Sequence, residues 1–95
     1  MHEFQGDLLI GGARLKQIHG ELADERPPQG ESHEWTLAGQ LHLTSEQSGQ
    51  IEVHRPYRLV LSDGRAGQVV FLRIDCDGQP NQMLANFQPT AAIHH

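Results

Sequence analysis

The sequence predicts an all-β domain of about six mostly antiparallel strands joined by hairpins, folded as a small barrel or a two-layer sandwich. Apolar residues repeatedly alternate with polar ones, which is the period of a strand, whereas helical periodicity is nearly absent. The turn-forming pairs Gly11-Gly12, Asp63-Gly64 and Asp77-Gly78 separate the alternating segments. A chain of 95 residues is expected to form a single domain, residues 1–95, with one modest core.

The first hairpin is predicted to turn at Gly11-Gly12, because two glycines supply the positive φ angles of a tight turn. That turn would place Leu8 opposite Leu15 on one face of the hairpin. It would also place Asp7 opposite Lys16 on the other face. An apolar pair and an opposite-charge pair therefore support the same register.

A long polar loop is predicted to follow the second strand, which should run from about residue 13 to residue 23. Residues 24–34 are the most polar stretch of the chain and contain Pro27-Pro28 and Gly30. Loops of this length in compact domains are often functional. The loop at 24–34 is therefore a candidate binding surface.

The third strand is predicted within EWTLAGQLHLT, residues 34–44. Its alternation places one set of residues on a common face: Trp35, Leu37, Gly39, Leu41 and Leu43. The following SEQSGQ is expected to turn the chain directly into a fourth strand that begins near Gln50 and pairs with the third. Proline lacks an amide donor, so a bend or an edge is expected at Arg55-Pro56.

The fourth and fifth strands are predicted to meet in a two-residue turn at Asp63-Gly64. That turn would place Leu61 opposite Ala66 and Tyr57 opposite Val70. In this register the core face carries Tyr57, Leu59, Leu61, Val70, Leu72, Ile74 and Cys76. The last strand should run from about Gln82 to Gln88.

The opposite face of this hairpin is also apolar, with Val60, Val69 and Phe71 between Arg58 and Arg73. Either another segment of the chain covers this face or it binds a partner. In the second case the apolar centre would be buried and the arginines would pair with carboxylates at the rim. Phe71→Asp would then abolish binding without unfolding the protein, and a symmetric homodimer is the default assembly.

The amino-acid composition argues against several classes of function. The net charge is −5 with only seven Lys and Arg residues, which argues against a nucleic-acid partner. Cys76 is the only cysteine, so an intramolecular disulfide is excluded, and we expect a small buried side chain there. No signal-peptide pattern or membrane-length apolar run is present, which predicts a cytoplasmic protein with no membrane partner. His94-His95 resemble the remnant of a purification tag.

A histidine site is a further hypothesis. If Leu43 paired with Ile51, the hairpin would bring His42, Glu52 and His54 onto one sheet face. Two imidazoles and a carboxylate can ligate zinc, but solvated surface histidines explain the same pattern. No cofactor is therefore expected.

The sequence contains no catalytic motif, so the chain is not expected to be an enzyme. It favours a non-catalytic protein-interaction module that binds a protein partner, or itself as a homodimer. The interaction face comprises Arg58, Val60, Val69, Phe71 and Arg73. One alternative is a barrel that binds a small molecule or a carbohydrate in a pocket near Trp35 and Tyr57. A third is a histidine-dependent metal-binding protein.

Overall fold

The computed structural model describes residues 2–31 and 33–90, which form a closed barrel of six antiparallel strands. The strands are β1 (His2–Ile10), β2 (Ala13–Arg26), β3 (Thr36–Thr44), β4 (Pro56–Leu61), β5 (Ala66–Cys76) and β6 (Gln82–Pro89). The one-turn helix α1 (Ser45–Ser48) follows β3. The predicted all-β class is confirmed, and the architecture is the barrel. His94-His95 lie outside the described residues.

The strand order around the barrel is β1-β2-β3-β6-β5-β4, with β4 closing onto β1. The strands therefore form two three-stranded units, and the segment from 45 to 55, the crossover, joins them. The prediction that the third and fourth strands form a hairpin is wrong, because β3 pairs with β2 and β6. Within the described residues, no helix has the length and apolar character needed to cross a membrane.

Local hydrogen bonds explain why the chain leaves β3 through a helix. The Thr44 hydroxyl accepts from the Gln47 amide at 3.0 Å, and the Gln47 side chain accepts from the Thr44 amide at 2.9 Å. These reciprocal bonds form a capping box, which satisfies two amides at the start of α1. The crossover then continues to Pro56, which begins β4, where its missing amide donor does not interrupt the ladder.

An aromatic row runs through the barrel interior. Phe71 lies between Tyr57 and Phe87, with ring centroids 5.9 Å and 6.1 Å away, and Phe87 contacts Phe4 edge-on at 6.4 Å. Leucines and other apolar residues fill the space around the row: Leu8, Leu15, Ile18, Leu22, Leu37, Leu41, Leu43, Ile51, Leu59, Leu61, Val69 and Ala85. The predicted core face of β3 is confirmed at Leu37, Leu41 and Leu43.

The first hairpin keeps the predicted pairing of Leu8 with Leu15 across the Gly11-Gly12 turn. The predicted pairing of Asp7 with Lys16 is wrong, because the register shifts between Gly6 and Leu8. The Asp7 carboxylate instead accepts from the amide of Gln17 at 3.0 Å, and Gln17 adopts a positive φ of 55°. A β-bulge, which the apolar pattern does not reveal, therefore decides what Asp7 contacts.

The register of the β4–β5 hairpin differs by one residue from the prediction. Leu61 donates to the Arg65 carbonyl at 2.7 Å, so the loop contains three residues, 62–64, rather than two. Gly64 takes the positive φ, 97°, and Asp63 accepts from the Arg65 amide at 3.0 Å. A shift of one residue moves every side chain of a strand to the other face. Tyr57 consequently pairs with Val69, not with Val70.

This register overturns the predicted interaction face at its centre. Val69 and Phe71 are both 0% exposed and belong to the core, so the five predicted residues do not share one open surface. A second register shift lies between Phe71 and Arg73, after which Ile74 packs against the core. The hairpin looked apolar on both faces because the three-residue loop turns Val69 and Phe71 inward, and the bulge then turns Ile74 inward as well.

Two predicted core residues of β5 lie at the surface. Leu72 is 41% exposed, and Cys76 is exposed at the end of β5, so both predictions of burial were wrong. Val70 is buried, but it lies outside the main core cluster, opposite Pro56 and Gln88.

Gly39 and Gly67 permit close approach of neighbouring backbone at the barrel wall. A Cβ atom on Gly67 would lie less than 3.0 Å from the Trp35 carbonyl oxygen, and one on Gly39 would meet the Glu21 carbonyl oxygen equally closely. Both obstacles are backbone atoms, which cannot rotate away. Any other residue at these positions would push strands apart.

Substitution of the central aromatic residue should unfold the protein. Phe71→Asp removes the middle ring of the row and buries a carboxylate, which should lower the free energy of unfolding by more than about 4 kcal/mol. Leu72→Asp is the matched control, because Leu72 is exposed, and its cost should stay below about 1 kcal/mol. Urea denaturation of the two variants measures the difference, and similar midpoints would contradict the assigned register.

Substitution of a strand glycine should also reduce stability. Gly67→Ala is expected to lower the free energy of unfolding by about 1–3 kcal/mol, because the new methyl group collides with the Trp35 carbonyl. Gly12→Ala is the control, since nothing lies within 4 Å of its would-be Cβ and its φ is not positive. Its effect should remain within about 0.5 kcal/mol in thermal denaturation. Equal effects would argue against the close approach at Gly67.

Candidate functional site

A groove of about 450 Å³ lies between the first hairpin, the crossover and β4. Its apolar surface comes from Leu9, Ile10, Pro56 and Tyr57. The Tyr57 ring packs on Phe71, and its hydroxyl accepts from the Glu52 amide at 2.8 Å. The Tyr57 side of the groove is therefore anchored both to the core and to the crossover.

Polar side chains line the rest of this arginine-rimmed groove: Gln50, Arg55, Arg58 and Gln68. Arg58 pairs with Glu34, which lies in the segment that leads into β3. Arg55 approaches Glu52 at 3.4 Å, and both side chains are more than 60% exposed. Exposed ion pairs of this kind contribute about 0–1 kcal/mol, so a carboxylate from a binding partner can compete for Arg55.

The predicted interaction residues are distributed over several places. Arg58 lines the groove, whereas Val60 precedes the β4–β5 turn and is half-buried opposite Ala66. Arg73 lies on the outside of β5, 71% exposed and 2.6 Å from Asp75. The structure thus retains one arginine of the predicted face at a concave site.

The two residues of the predicted ligand pocket, Trp35 and Tyr57, lie at different places in the structure. Tyr57 lines the arginine-rimmed groove, but Trp35 does not. Trp35 donates its amide to the Ala66 carbonyl at 2.8 Å, and the Arg65 guanidinium lies 5.3 Å from its ring centroid. Arg65 in turn contacts Glu25, at the end of β2, at 2.7 Å. The predicted loop at 24–34 is too long at its start, because β2 extends to Arg26, and Glu25 fixes this end of β2 to the β4–β5 hairpin.

A second groove, of about 400 Å³, lies over β2, β3 and β6 and contains His42. His42 Nε2 lies 2.9 Å from both carboxylate oxygens of Glu21, and Nδ1 lies 3.3 Å from Asp77 Oδ2. Gln40 also donates to Glu21, at 2.7 Å. We call Glu21, His42 and Asp77 the histidine cluster.

The surroundings change the protonation of this cluster. Partial burial disfavours the charged imidazole, but hydrogen bonds and charges from Glu21 and Asp77 outweigh burial and raise the pKa of His42. Partial burial likewise opposes ionisation of Glu21, yet hydrogen bonds from Gln40 and His42 lower the pKa of that carboxyl. The protonated imidazole and the ionised carboxylate therefore stabilise each other.

The hypothetical metal site of His42, Glu52 and His54, an alternative to the expectation of no metal, is not formed. His42 lies among Glu21 and Asp77, whereas Glu52 pairs with Arg55 and His54 lies in the crossover. The cause is the missing β3–β4 hairpin, on which that site depended. Within residues 2–31 and 33–90, no group of three His, Cys, Asp or Glu side chains is arranged to hold a metal ion.

The part of the chain that the structure describes gives no positive sign of enzymatic activity. A histidine beside an aspartate resembles part of a catalytic triad, but a triad needs the second ring nitrogen for the nucleophile. Here Glu21 occupies that nitrogen of His42. Comparison with protein-family models, curated proteins and solved structures found no match to the chain.

The sequence did not predict Glu21 and Asp77 as partners of His42, or Leu9 and Arg55 as groove residues. One signal could have found Glu21, because consecutive strands usually pair and β2 precedes β3. In that pairing His19 lies opposite His42, with Glu21 two residues further along β2. Asp77 and the groove depend on contacts between distant strands, which no local pattern encodes.

The histidine cluster predicts a pH dependence of stability. Because the folded state raises the pKa of His42, its stabilising contribution is complete below the unfolded pKa. That contribution is lost as the pH rises through the folded pKa. The lowered pKa of Glu21 acts oppositely, so its contribution disappears as the pH falls through the folded pKa of that carboxyl.

Wild-type protein should therefore exceed His42→Gln in free energy of unfolding at mildly acidic pH, by about 1 kcal/mol or less. The difference should shrink as the pH rises past the folded pKa of His42. His54→Asn is the control, because asparagine tolerates the positive φ of 66° there. Urea denaturation across pH measures the effect, and a constant difference for His42→Gln would contradict it.

Proposed function

We propose that this protein is a non-catalytic interaction module whose arginine-rimmed groove binds an extended segment of a protein partner. The segment would carry an apolar side chain next to a carboxylate. The proposal rests on the groove, in which an anchored Tyr57 and an exposed Arg55 line the same concave space.

The chemistry of the groove supports a peptide-like partner. An apolar side chain can be buried against Leu9 and Tyr57, and tyrosine and arginine are the residues that most often dominate binding energies. A carboxylate on the partner can replace the weak contact between Glu52 and Arg55. The sequence led us to expect the same mechanism, in which an apolar centre is buried and arginines pair with carboxylates at the rim. The proposed surface is now the groove instead of the predicted interaction face.

Pre-organisation favours binding without a large rearrangement. The Tyr57 hydroxyl is held by the Glu52 amide, and His54 donates its amide to the Phe71 carbonyl at 2.8 Å. Two bonds thus fix the crossover against the barrel wall. A rigid site loses less conformational entropy on binding.

A selection from a random twelve-residue peptide library on immobilised protein tests the proposal. The enriched peptides should combine an aromatic or aliphatic residue with Asp or Glu. Arg55→Glu should weaken their binding at least about tenfold, equivalent to about 1.4 kcal/mol, through charge repulsion. Arg73→Glu is the matched control, since Arg73 is similarly exposed and also ion-paired but lies outside the groove.

Binding that is insensitive to Arg55→Glu but lost in Arg73→Glu would move the site to the outer surface of β5. Light scattering over a range of protein concentrations tests whether the partner is a second copy. A dimer that Arg55→Glu dissociates and Arg73→Glu preserves would identify self-association through the groove.

A small organic carboxylate is the second candidate ligand, because the groove volume lies within the range of small-molecule sites, about 300–1,000 Å³. NMR titration with benzoate distinguishes this candidate. Binding in the groove would shift the Tyr57 ring signals and leave the Trp35 indole signal unchanged. A response of Trp35 alone would favour the pocket predicted from the sequence.

A further inference from the structure

The two ring nitrogens of His42 both face carboxylates. Nε2 lies 2.9 Å from Glu21 on β2, and Nδ1 lies 3.3 Å from Asp77 in the turn between β5 and β6. An ionised carboxylate only accepts hydrogen bonds, and a neutral imidazole has one N–H to donate. Both contacts can be hydrogen bonds at the same time only when the ring carries two protons.

The turn that Asp77 begins is joined to the barrel at its other end as well. The Asp77 amide donates to the Gln82 carbonyl at 2.9 Å, and the Ser45 amide at the start of α1 donates to Asn81 Oδ1 at 3.2 Å. Asn81 adopts a positive φ of 64°. The β5–β6 turn is therefore held to β3 by His42 and to the start of the crossover by Asn81.

We propose that His42 is a pH-sensitive clamp, which holds the β5–β6 turn on the β2–β3 sheet when its ring is protonated and releases Asp77 when the ring loses a proton. Asp77 is the carboxylate that is released, because the hydrogen bond from His42 to Glu21 is shorter than the one to Asp77. Gln40 also donates to Glu21 and supports that bond. The neutral ring then keeps its single N–H on Nε2, directed to Glu21. Its Nδ1 lone pair faces the Asp77 carboxylate, and the two repel each other.

Few charged groups lie around His42, and the effect of each can be tested by substitution. From β1, Glu3 lines the same groove, and from β2, His19 lies opposite His42 beside Glu21. The neighbouring α1 and β6 contribute the uncharged Gln47, Gln82 and Met83 to the groove. On β5 the nearby Asp75 is paired with Arg73. Asp77 is therefore the acidic group from the turn that responds directly to the ring.

NMR spectroscopy of the ¹⁵N-labelled protein across pH tests the clamp. The His42 ring nitrogens should titrate with a midpoint above the usual value for histidine. The backbone amide signals of residues 77–82 should shift with that same midpoint. In Asp77→Asn the His42 midpoint should fall and the coupled shift of the turn should disappear.

Asp63→Asn is the matched control, because Asp63 begins the other Asp-Gly turn and is bound to Arg65 instead of a histidine. It should leave both the His42 midpoint and the response of residues 77–82 unchanged. His19→Gln should preserve the response of the turn, since His19 does not contact Asp77.

Three results would overturn the clamp. The turn amides could show no shift at the His42 midpoint in wild-type protein. They could keep that shift in Asp77→Asn, or lose it in His19→Gln. Because Asp77→Asn retains His42 and Glu21, its ring titration reports on the clamp even if the turn itself becomes less ordered.

Discussion

The aromatic row through Phe71 is the interaction on which the rest of this barrel depends. Phe71 joins the ring of Tyr57 on β4 to the ring of Phe87 on β6, so one side chain links three strands across the interior. A chain of this size buries only about 60–65% of its unfolded surface, and few large side chains are available. Burial of this one ring therefore favours a single register of the adjacent strands.

Closure imposes a second constraint, which acts on the backbone. The strands of a six-stranded barrel bend sharply, and at Gly39 and Gly67 a carbonyl of another segment occupies the space of a side chain. The bulges in β1–β2, β2–β3 and β5–β6 absorb the remaining curvature. Each bulge also changes which residues face outward, so barrel closure and surface chemistry are set together.

The crossover connects this fold to the proposed binding surface. Because α1 begins in a capping box and β4 begins at Pro56, the chain crosses from β3 to β4 instead of turning back along β3. It thereby brings Gln50 and Arg55 beside Leu9 and Tyr57. The same connection separates His42 from His54, and the polar groups of β2 and the β5–β6 turn become the neighbours of His42 instead.

The sequence alone determined the all-β class, the places of the Gly11-Gly12, Asp63-Gly64 and Asp77-Gly78 turns, the pairing of Leu8 with Leu15 and the core face of β3. These follow from side-chain periodicity and turn chemistry, which act over a few residues. Only the tertiary structure decided that Phe71 is core, because a three-residue loop shifts the alternation of β5 by one residue. Only it brought Glu21 and Asp77 to His42, since these contacts cross strands that are distant in the chain. Local patterns specify which strands form, whereas barrel closure specifies which faces meet.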